Sequence, residues 1–220
     1  MSLAILFKDE LNGFYRSKVM LFLWVGLPAL AIILYIATSG VDQEGIPFSS
    51  FTALLVSVIG GVISAAMLTV GIINEREKHV YDLFLIRPVK RHSIVLSKFL
   101  AVYLCVVVAA VAAIMLGVAV DHFRSDLSSA TLFSNILPAI IIAASMIAIS
   151  CSAGILIGMS SPSVLVGVIL VIYGANQLST VAVLPVLTAS SDEYFPLIPG
   201  LAITVVLLLM AIWVFNRKQL

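Results

Sequence analysis

The sequence predicts an all-α integral membrane protein with six transmembrane helices, and three observations support this fold class. The chain of 220 residues is 62% hydrophobic and only 10% charged, whereas soluble domains carry about 25% charged residues. Its mean hydropathy is +1.20, and its apolar runs are as long as the ~20 residues that a membrane helix needs. Eleven of the twelve Lys and Arg residues lie before the first run, between the second and third runs, or after the last run. Such a chain has too few charges to cover a water-facing surface.

A single membrane domain over 1–220 accounts for every element in order. An amphipathic interfacial helix is predicted over 1–18, where apolar side chains share one face at helical spacing: Leu3, Phe7, Leu11, Phe14 and Tyr15. The six predicted spans cover residues 19–38, 50–73, 94–120, 131–157, 163–186 and 196–215. The segment 74–93 joins the second span to the third. The row Ser150, Gly154 and Gly158 in the fourth span predicts close helix packing.

The distribution of charge predicts how these spans are oriented. Eleven of the twelve Lys and Arg residues fall on one side of a six-span layout, and only Arg124 falls on the other. The opposite loops are acidic, with Asp42, Glu44 and Asp126 among their residues. The positive-inside rule therefore places both termini and loop 74–93 in the cytoplasm. We expect a multi-pass protein of the plasma (cell) membrane.

Several functional classes are excluded by what the sequence lacks. No ionisable residue lies well inside a predicted span, so a proton relay or a ladder of gating charges is not expected. No phosphate-binding loop of the form GxxxxGK[ST] is present, and no intramembrane protease motif is present. Cys105 and Cys151 lie within apolar runs and are interpreted as buried hydrophobic side chains. We expect no catalytic residue, no metal site and no nucleic-acid partner.

The richest polar cluster inside a span is "YGANQLST", residues 173–180. Asn176 and Gln177 are adjacent, and at about 100° per residue they cannot face the same neighbour. Together with Thr180 they are candidates for a substrate path or a local break in the helix. The alternative is hydrogen bonding between helices, which is common in membrane bundles.

Loop 74–93 combines charge with an apolar centre. The stretch "NEREKHVYDLFLIRPVKRHSIVLSK", residues 74–98, holds six of the twelve basic residues around the apolar "VYDLFLI". Glu, Arg and Lys favour continuation of the second span beyond the membrane, and Pro88 ends any helix that follows. The sequence predicts a short cytoplasmic helix over about 78–86. An apolar helix of this kind must bury itself in the bilayer surface or in another protein.

The stretch "ERExxxYDLFLIRPVKRHSIVLSKFLA" resembles the corresponding loop of type-2 ABC exporter permeases. Matching positions are Glu75, Arg76, Glu77, Leu83, Leu85, Pro88, Arg91, Ile94 and Lys98. The segment "KHVYD", residues 78–82, departs from the Gly-Thr-Leu-Glu-like turn of that pattern. The six-span layout, the cytoplasmic termini and the closing "FNRK" extend the resemblance over the whole chain.

The resemblance implies a transmembrane subunit of an ATP-driven exporter. In that family the loop forms a coupling helix that docks in a groove on a separate ATP-binding subunit, which holds ATP and Mg²⁺. The coupling residues implied here are Glu75, Glu77, Tyr81, Asp82, Leu83, Phe84 and Leu85. The other implied partners are membrane lipid and a second permease copy, either identical or similar, because the pathway lies between two bundles. The chain itself is not expected to be an enzyme.

Two other functional classes remain open at this point. The chain could be an ATP-independent carrier or channel, because its spans are neutral, or a membrane assembly factor that transports nothing. The loop then would be a positively charged anchor whose helix lies on lipid. Within the ABC interpretation, a haem-export-type subunit of cytochrome c maturation has a similar length, but the "RPVKR" loop fits a general exporter better.

Overall fold

The computed structural model describes residues 3–15, 18–38, 48–78, 91–124, 129–181 and 197–217, and the elements in these ranges are helices. Helix α1 is Leu3–Tyr15, α2 is Lys18–Thr38, α3 is Phe48–Glu77, α4 is Arg91–Arg124 and α5 is Ser129–Ser160. Helix α6 is Val164–Thr180 and includes a π-helical segment, Val171–Ala175. Helix α7 is Leu197–Arg217. The predicted all-α fold class is confirmed for these ranges.

Five of the described helices are long and apolar enough to cross a membrane. The spans run over Lys18–Ala37, Phe48–Glu77, His92–His122, Ile136–Ser160 and Leu197–Arg217. The fifth predicted span, 163–186, corresponds to α6, which is about 25 Å long at 1.5 Å per residue and so falls short of the ~30 Å hydrocarbon core. Residues 182–186 of that predicted span lie outside the described residues. The count of six spans therefore remains a prediction.

Three of these helices extend beyond what a bilayer requires. Helices α3, α4 and α5 have 30, 34 and 32 residues, which corresponds to about 45–51 Å. Helix α3 continues past the predicted end of the second span and includes Glu75, Arg76 and Glu77. The helix-forming side chains of that segment predict this extension. The start of loop 74–93 is consequently a rigid helical turn.

The centre of the bundle is the contact between α3 and α5, and it depends on small residues. A Cβ built on Gly154 would lie 2.6 Å from the carbonyl oxygen of Ala65, and one built on Gly158 would lie 3.1 Å from the Cα of Thr69. The hydroxyl of Thr69 donates a hydrogen bond to the Gly154 carbonyl at 2.8 Å. The close packing that the small-residue row predicts is confirmed, because only small side chains allow backbones to approach so closely.

The end of the bundle where α3 begins is held by a buried carboxylate. Asp121, in the last turn of α4, accepts hydrogen bonds from the backbone N–H groups of Phe48 at 3.2 Å and Ser49 at 2.8 Å. The first N–H groups of a helix have no intrahelical partner, so a carboxylate from a neighbouring helix caps them and interacts well with the positive end of the helix dipole. This contact fixes α3 and α4 at one end.

The peripheral helices expose wide apolar faces. Within the membrane-spanning parts of α2 and α7, 22% and 28% of the residues are buried, whereas the corresponding share in α5 is 61%. Exposed side chains on these faces include Phe22, Val25, Ile36, Leu201 and Leu209. Such faces suit lipid tails or a second membrane subunit. Helix α7 begins beside the middle of α5, where a Cβ on Gly200 would lie 2.7 Å from the Cβ of Ser145.

Candidate functional site

The candidate site is a group of charged residues at the end of the bundle where α3 ends and α4 begins. We call it the charged junction, and it consists of Glu10, Glu75, Arg76 and Lys98. Lys98 lies between the other helices with only 7% of its surface exposed. Its Nζ lies 2.7 Å from the Oε1 atom of Glu10 on α1 and 2.6 Å from the Oε1 atom of Glu75 on α3. One lysine thus joins three helices.

The positions of the three charges follow from the local sequence. Glu10 lies one turn from Leu6 and one turn from Phe14, both of which pack inward, so it occupies the buried face of α1. Lys98 lies between the buried residues Val95 and Val102 on α4. A buried ammonium group requires a charged partner, and here two carboxylates supply it. The Oε2 atom of Glu75 is buried without a hydrogen-bond partner among the described residues.

Arg76 connects the junction to a different part of the bundle. Its Nη2 donates hydrogen bonds to the backbone carbonyls of Ser161 at 2.6 Å and Pro162 at 3.3 Å. These carbonyls lie just beyond the last turn of α5, in the short elbow 161–163 that leads into α6. A cation at the carboxyl end of a helix satisfies free carbonyls and complements the negative end of the helix dipole.

The predicted coupling residues are placed only in part. Glu75 belongs to the charged junction, and the side chain of Glu77 is exposed in the last turn of α3. The predicted coupling helix and the residues Tyr81, Asp82, Leu83, Phe84 and Leu85 lie outside the described residues. Loop 74–93 runs from the last turn of α3 to the first turn of α4. The structure adds that the ion pair between Glu75 and Lys98 joins the end of α3 to the start of α4.

The predicted path residues lie in the C-terminal half of α6. The π-helical segment ends at Ala175, so Asn176 is the first residue after it. The Oδ1 atom of Asn176 is buried without a partner among the described residues, while Gln177 is exposed. The two adjacent amides therefore do face different surroundings. Thr180 is exposed, and its hydroxyl donates a hydrogen bond to the carbonyl of Gln177 at 2.7 Å within the same helix.

A π-helical segment, Val171–Ala175, overlaps the start of this cluster, and the helix continues through it to Thr180. The substrate path and the local break at Asn176 and Gln177 stay predictions. Val171 and Ala175 on this segment are fully buried against α5, whereas Tyr173 is 73% exposed. A π-helical turn inserts an extra residue and leaves the hydrogen-bond ladder irregular, and such turns are frequent at functional sites. The described residues contain no group of three or more His, Cys, Asp or Glu side chains that could hold a metal ion.

Sequence reasoning missed Glu10 as a site residue and placed Arg76 and Lys98 only within a motif. Signals for two of them were present. Glu10 is an acidic residue on the apolar face of an amphipathic helix, and Lys98 lies within an apolar run. A charge in such a position predicts a buried partner. The partner of Arg76, a pair of backbone carbonyls, leaves no trace in the sequence.

These features define a multi-pass helical membrane protein whose helices are joined by charged residues at one end. Residues 6–177 match the family model described as "ABC-2 family transporter protein". This match covers well over half of the chain, and the chain belongs to the ABC-2 family of transporter proteins. It is therefore a permease, the membrane subunit of an ABC transporter. No curated protein matches the chain.

Proposed function

We propose that this permease is an exporter subunit that works as a dimer and is driven by separate ATP-binding subunits. These subunits bind loop 74–93 on the cytoplasmic side and hold ATP and Mg²⁺, while the permease chain provides the pathway. The observation that carries the proposal is the 2.6 Å ion pair between Glu75 and Lys98. It joins the helix that enters the loop to the helix that leaves it, so a force on the loop reaches both.

The charged junction explains how a small loop could move a large bundle. Lys98 also binds Glu10, so α1, α3 and α4 meet at the base of the loop. At the opposite end, Asp121 ties α3 to α4. Two fixed points on the same helix pair favour motion as one rigid body over local bending. In the proposed mechanism, closure of the ATP-binding subunits moves this body relative to the rest of the permease.

The residues of the loop take different parts in this mechanism. Tyr81, Leu83, Phe84 and Leu85 supply the apolar contact with the groove of the ATP-binding subunit, because buried apolar side chains provide most interface affinity. Asp82 and the exposed Glu77 fix the register at its rim. Glu75 acts through Lys98, since its carboxylate is already engaged within the chain.

The outer face of α6 supports a dimer. Tyr173, Gln177 and Thr180 are spaced at helical intervals, and all three are exposed in the monomer. Polar side chains that face lipid are unfavourable, and membrane proteins bury them against protein or a water-filled path. A second copy that covers this face would place these three polar side chains between two subunits. This is the proposed substrate path.

The proposal is tested by isolating the tagged permease from its native membrane in mild detergent and identifying the proteins that accompany it. We expect a protein with nucleotide-binding motifs at about one copy per permease, the stoichiometry of two permeases with two ATP-binding subunits. Replacing Phe84 and Leu85 by Asp should release it, because charged groups cannot enter an apolar groove without a large desolvation cost.

Lys8→Asp is the control for this experiment, because Lys8 is exposed on α1 and its change introduces the same kind of charge. It should leave the association intact. If no nucleotide-binding protein is recovered even after gentle cross-linking, coupling through the loop is wrong. An ATP-independent carrier would then transport in ATP-depleted vesicles with ion gradients maintained, whereas an assembly factor would transport under neither condition.

A further inference from the structure

One face of α3 contacts α5, α6 and the elbow between them over about two helical turns. Thr69 donates to the Gly154 carbonyl at 2.8 Å. A Cβ on Gly167 of α6 would lie 2.8 Å from the Cγ2 of Thr69 and 2.9 Å from the Cδ1 of Ile73. Arg76 then donates to the elbow carbonyls. These α3 residues recur every three or four positions and so lie on one face of the helix.

The contacts along this face differ in kind. Thr69 and Ile73 hold α6 by packing against a glycine, a contact that small displacements weaken quickly. Arg76 holds the elbow by hydrogen bonds from a charged donor, which are shorter and stronger than neutral ones. Ser161, whose carbonyl is the nearer acceptor, is only 2% exposed. Arg76 is thus a polar attachment between the end of α3 and the elbow, in which Ser161 is buried and Pro162 is exposed.

We propose that Arg76 is a positioning residue for transport. It holds the elbow 161–163 to the end of α3, so that α6 moves together with α3 when loop 74–93 is displaced. The elbow leads directly into α6, which carries the π-helical segment and Asn176. Motion that begins at the loop therefore reaches the polar half of α6 without a contact between α6 and the ATP-binding subunit. The movement rests on the proposed function; the attachment itself does not.

Charge explains why this role falls to Arg76 and not to its neighbours. Glu75 is directed toward Lys98, on a different side of α3. Glu77 is exposed, and a carboxylate would repel the carbonyl oxygens of the elbow. Of these three consecutive residues, only Arg76 combines a positive charge with the reach to two carbonyl oxygens. Arg76→Gln removes the charge and keeps much of the length.

The test measures the distance between α3 and α6 with spin labels on Asn74→Cys and Leu165→Cys, both exposed positions. The native Cys105 and Cys151 are buried, which confines labelling to the new sites. Labelled chain is diluted into unlabelled chain so that pairs within one subunit dominate. Without nucleotide, wild type should give a narrow distribution. Arg76→Gln should broaden it, because losing a charged hydrogen bond shifts the attached population on the order of tenfold.

Two variants serve as references. Glu77→Gln changes an exposed charge in the same helical turn and should keep the narrow distribution, and Arg76→Lys should restore part of it. In the complex with its ATP-binding subunit, the distance in wild type should stay constant between the nucleotide-free and vanadate-trapped states. Arg76→Gln should retain ATP hydrolysis but lose this constancy, an effect that general destabilisation would not produce.

The proposal is overturned if Arg76→Gln matches wild type, if Glu77→Gln broadens the distribution equally, or if the wild-type distance changes with nucleotide. Should Arg76→Gln fail to accumulate, the wild-type comparison between the two nucleotide states decides alone. The nucleotide-free measurement needs no partner, so it tests the attachment even if no ATP-binding subunit is found. Failure of the attachment and failure of the proposed function are therefore separate results.

Discussion

At the residue scale, Lys98 carries the organisation of the charged junction. Its ammonium group is buried and has two carboxylate partners on two other helices, both of them partly buried. Removing one member of a buried charge pair leaves an uncompensated charge, which is far more damaging than never having had the pair. In this junction the loss of Lys98 would leave two carboxylates near each other.

We expect Lys98→Met to reduce the free energy of unfolding by about 3 kcal/mol, the low end of the range for a broken buried pair, because the carboxylates retain some exposure. Unfolding in mixed micelles followed by circular dichroism measures this. Combining Lys98→Met with Glu10→Gln and Glu75→Gln should recover most of the loss. Lys8→Met, at an exposed position of α1, is the control and should change the free energy of unfolding by no more than about 0.5 kcal/mol. If Lys98→Met changes it as little as Lys8→Met does, the charged junction does not stabilise the bundle.

At the element scale, close approach of α3 and α5 is the main packing feature. Gly154 lies against the backbone of α3, and no larger side chain fits there without moving a helix. Gly71, which lies on α3, has open space around it, since a Cβ there would meet nothing within 4 Å. Replacing each glycine by alanine should therefore change the stability of the bundle in opposite directions.

Gly154→Ala should destabilise the bundle by about 1–3 kcal/mol, the usual effect of an added methyl group in a tightly packed site. Gly71→Ala should stabilise it by up to about 1 kcal/mol, because alanine is the better helix former. The same micelle unfolding assay compares them. A neutral Gly154→Ala variant would mean that α3 and α5 separate more easily than their contact indicates.

At the scale of the whole molecule, the charges that form the junction share one end of the bundle with the loop. Glu75, Arg76 and Lys98 lie at that end, whereas Asp121 caps α3 at the other. The positive-inside rule predicts that the junction lies on the cytoplasmic side. Binding of an ATP-binding subunit requires the same assignment, because ATP is supplied on that side.

Cysteine labelling in intact cells tests this orientation. Glu44→Cys should react with a membrane-impermeant maleimide from outside. Lys78→Cys, exposed just after α3, should react only after the membrane is permeabilised. The buried native cysteines provide a low background. The reverse pattern of labelling would place loop 74–93 outside the cell and exclude the proposed coupling.

Much of the architecture could be predicted because membrane helices are specified locally. A long apolar run has to be helical, since lipid offers no hydrogen-bond partners to its backbone. The close packing of α5 could also be predicted locally, because its row of small residues recurs at helical spacing. The limits of α6 were harder to predict, because a run with Asn, Gln, Ser and Thr gives a weaker signal of a membrane helix. The π-helical segment packs against residues distant in the chain, on α3, α5 and α7.

The sequence by itself determined the membrane class, the position of most helices and the motif of loop 74–93, and it predicts the sidedness of the charge. These properties depend on the types and the spacing of residues that are close together in the chain, so they can be predicted from the sequence. Only the tertiary structure decided that Lys98 joins Glu10 to Glu75, residues 65 positions apart in one chain, and that Arg76 binds the elbow carbonyls. Such contacts depend on how distant helices meet, and a backbone acceptor is the same for every residue type.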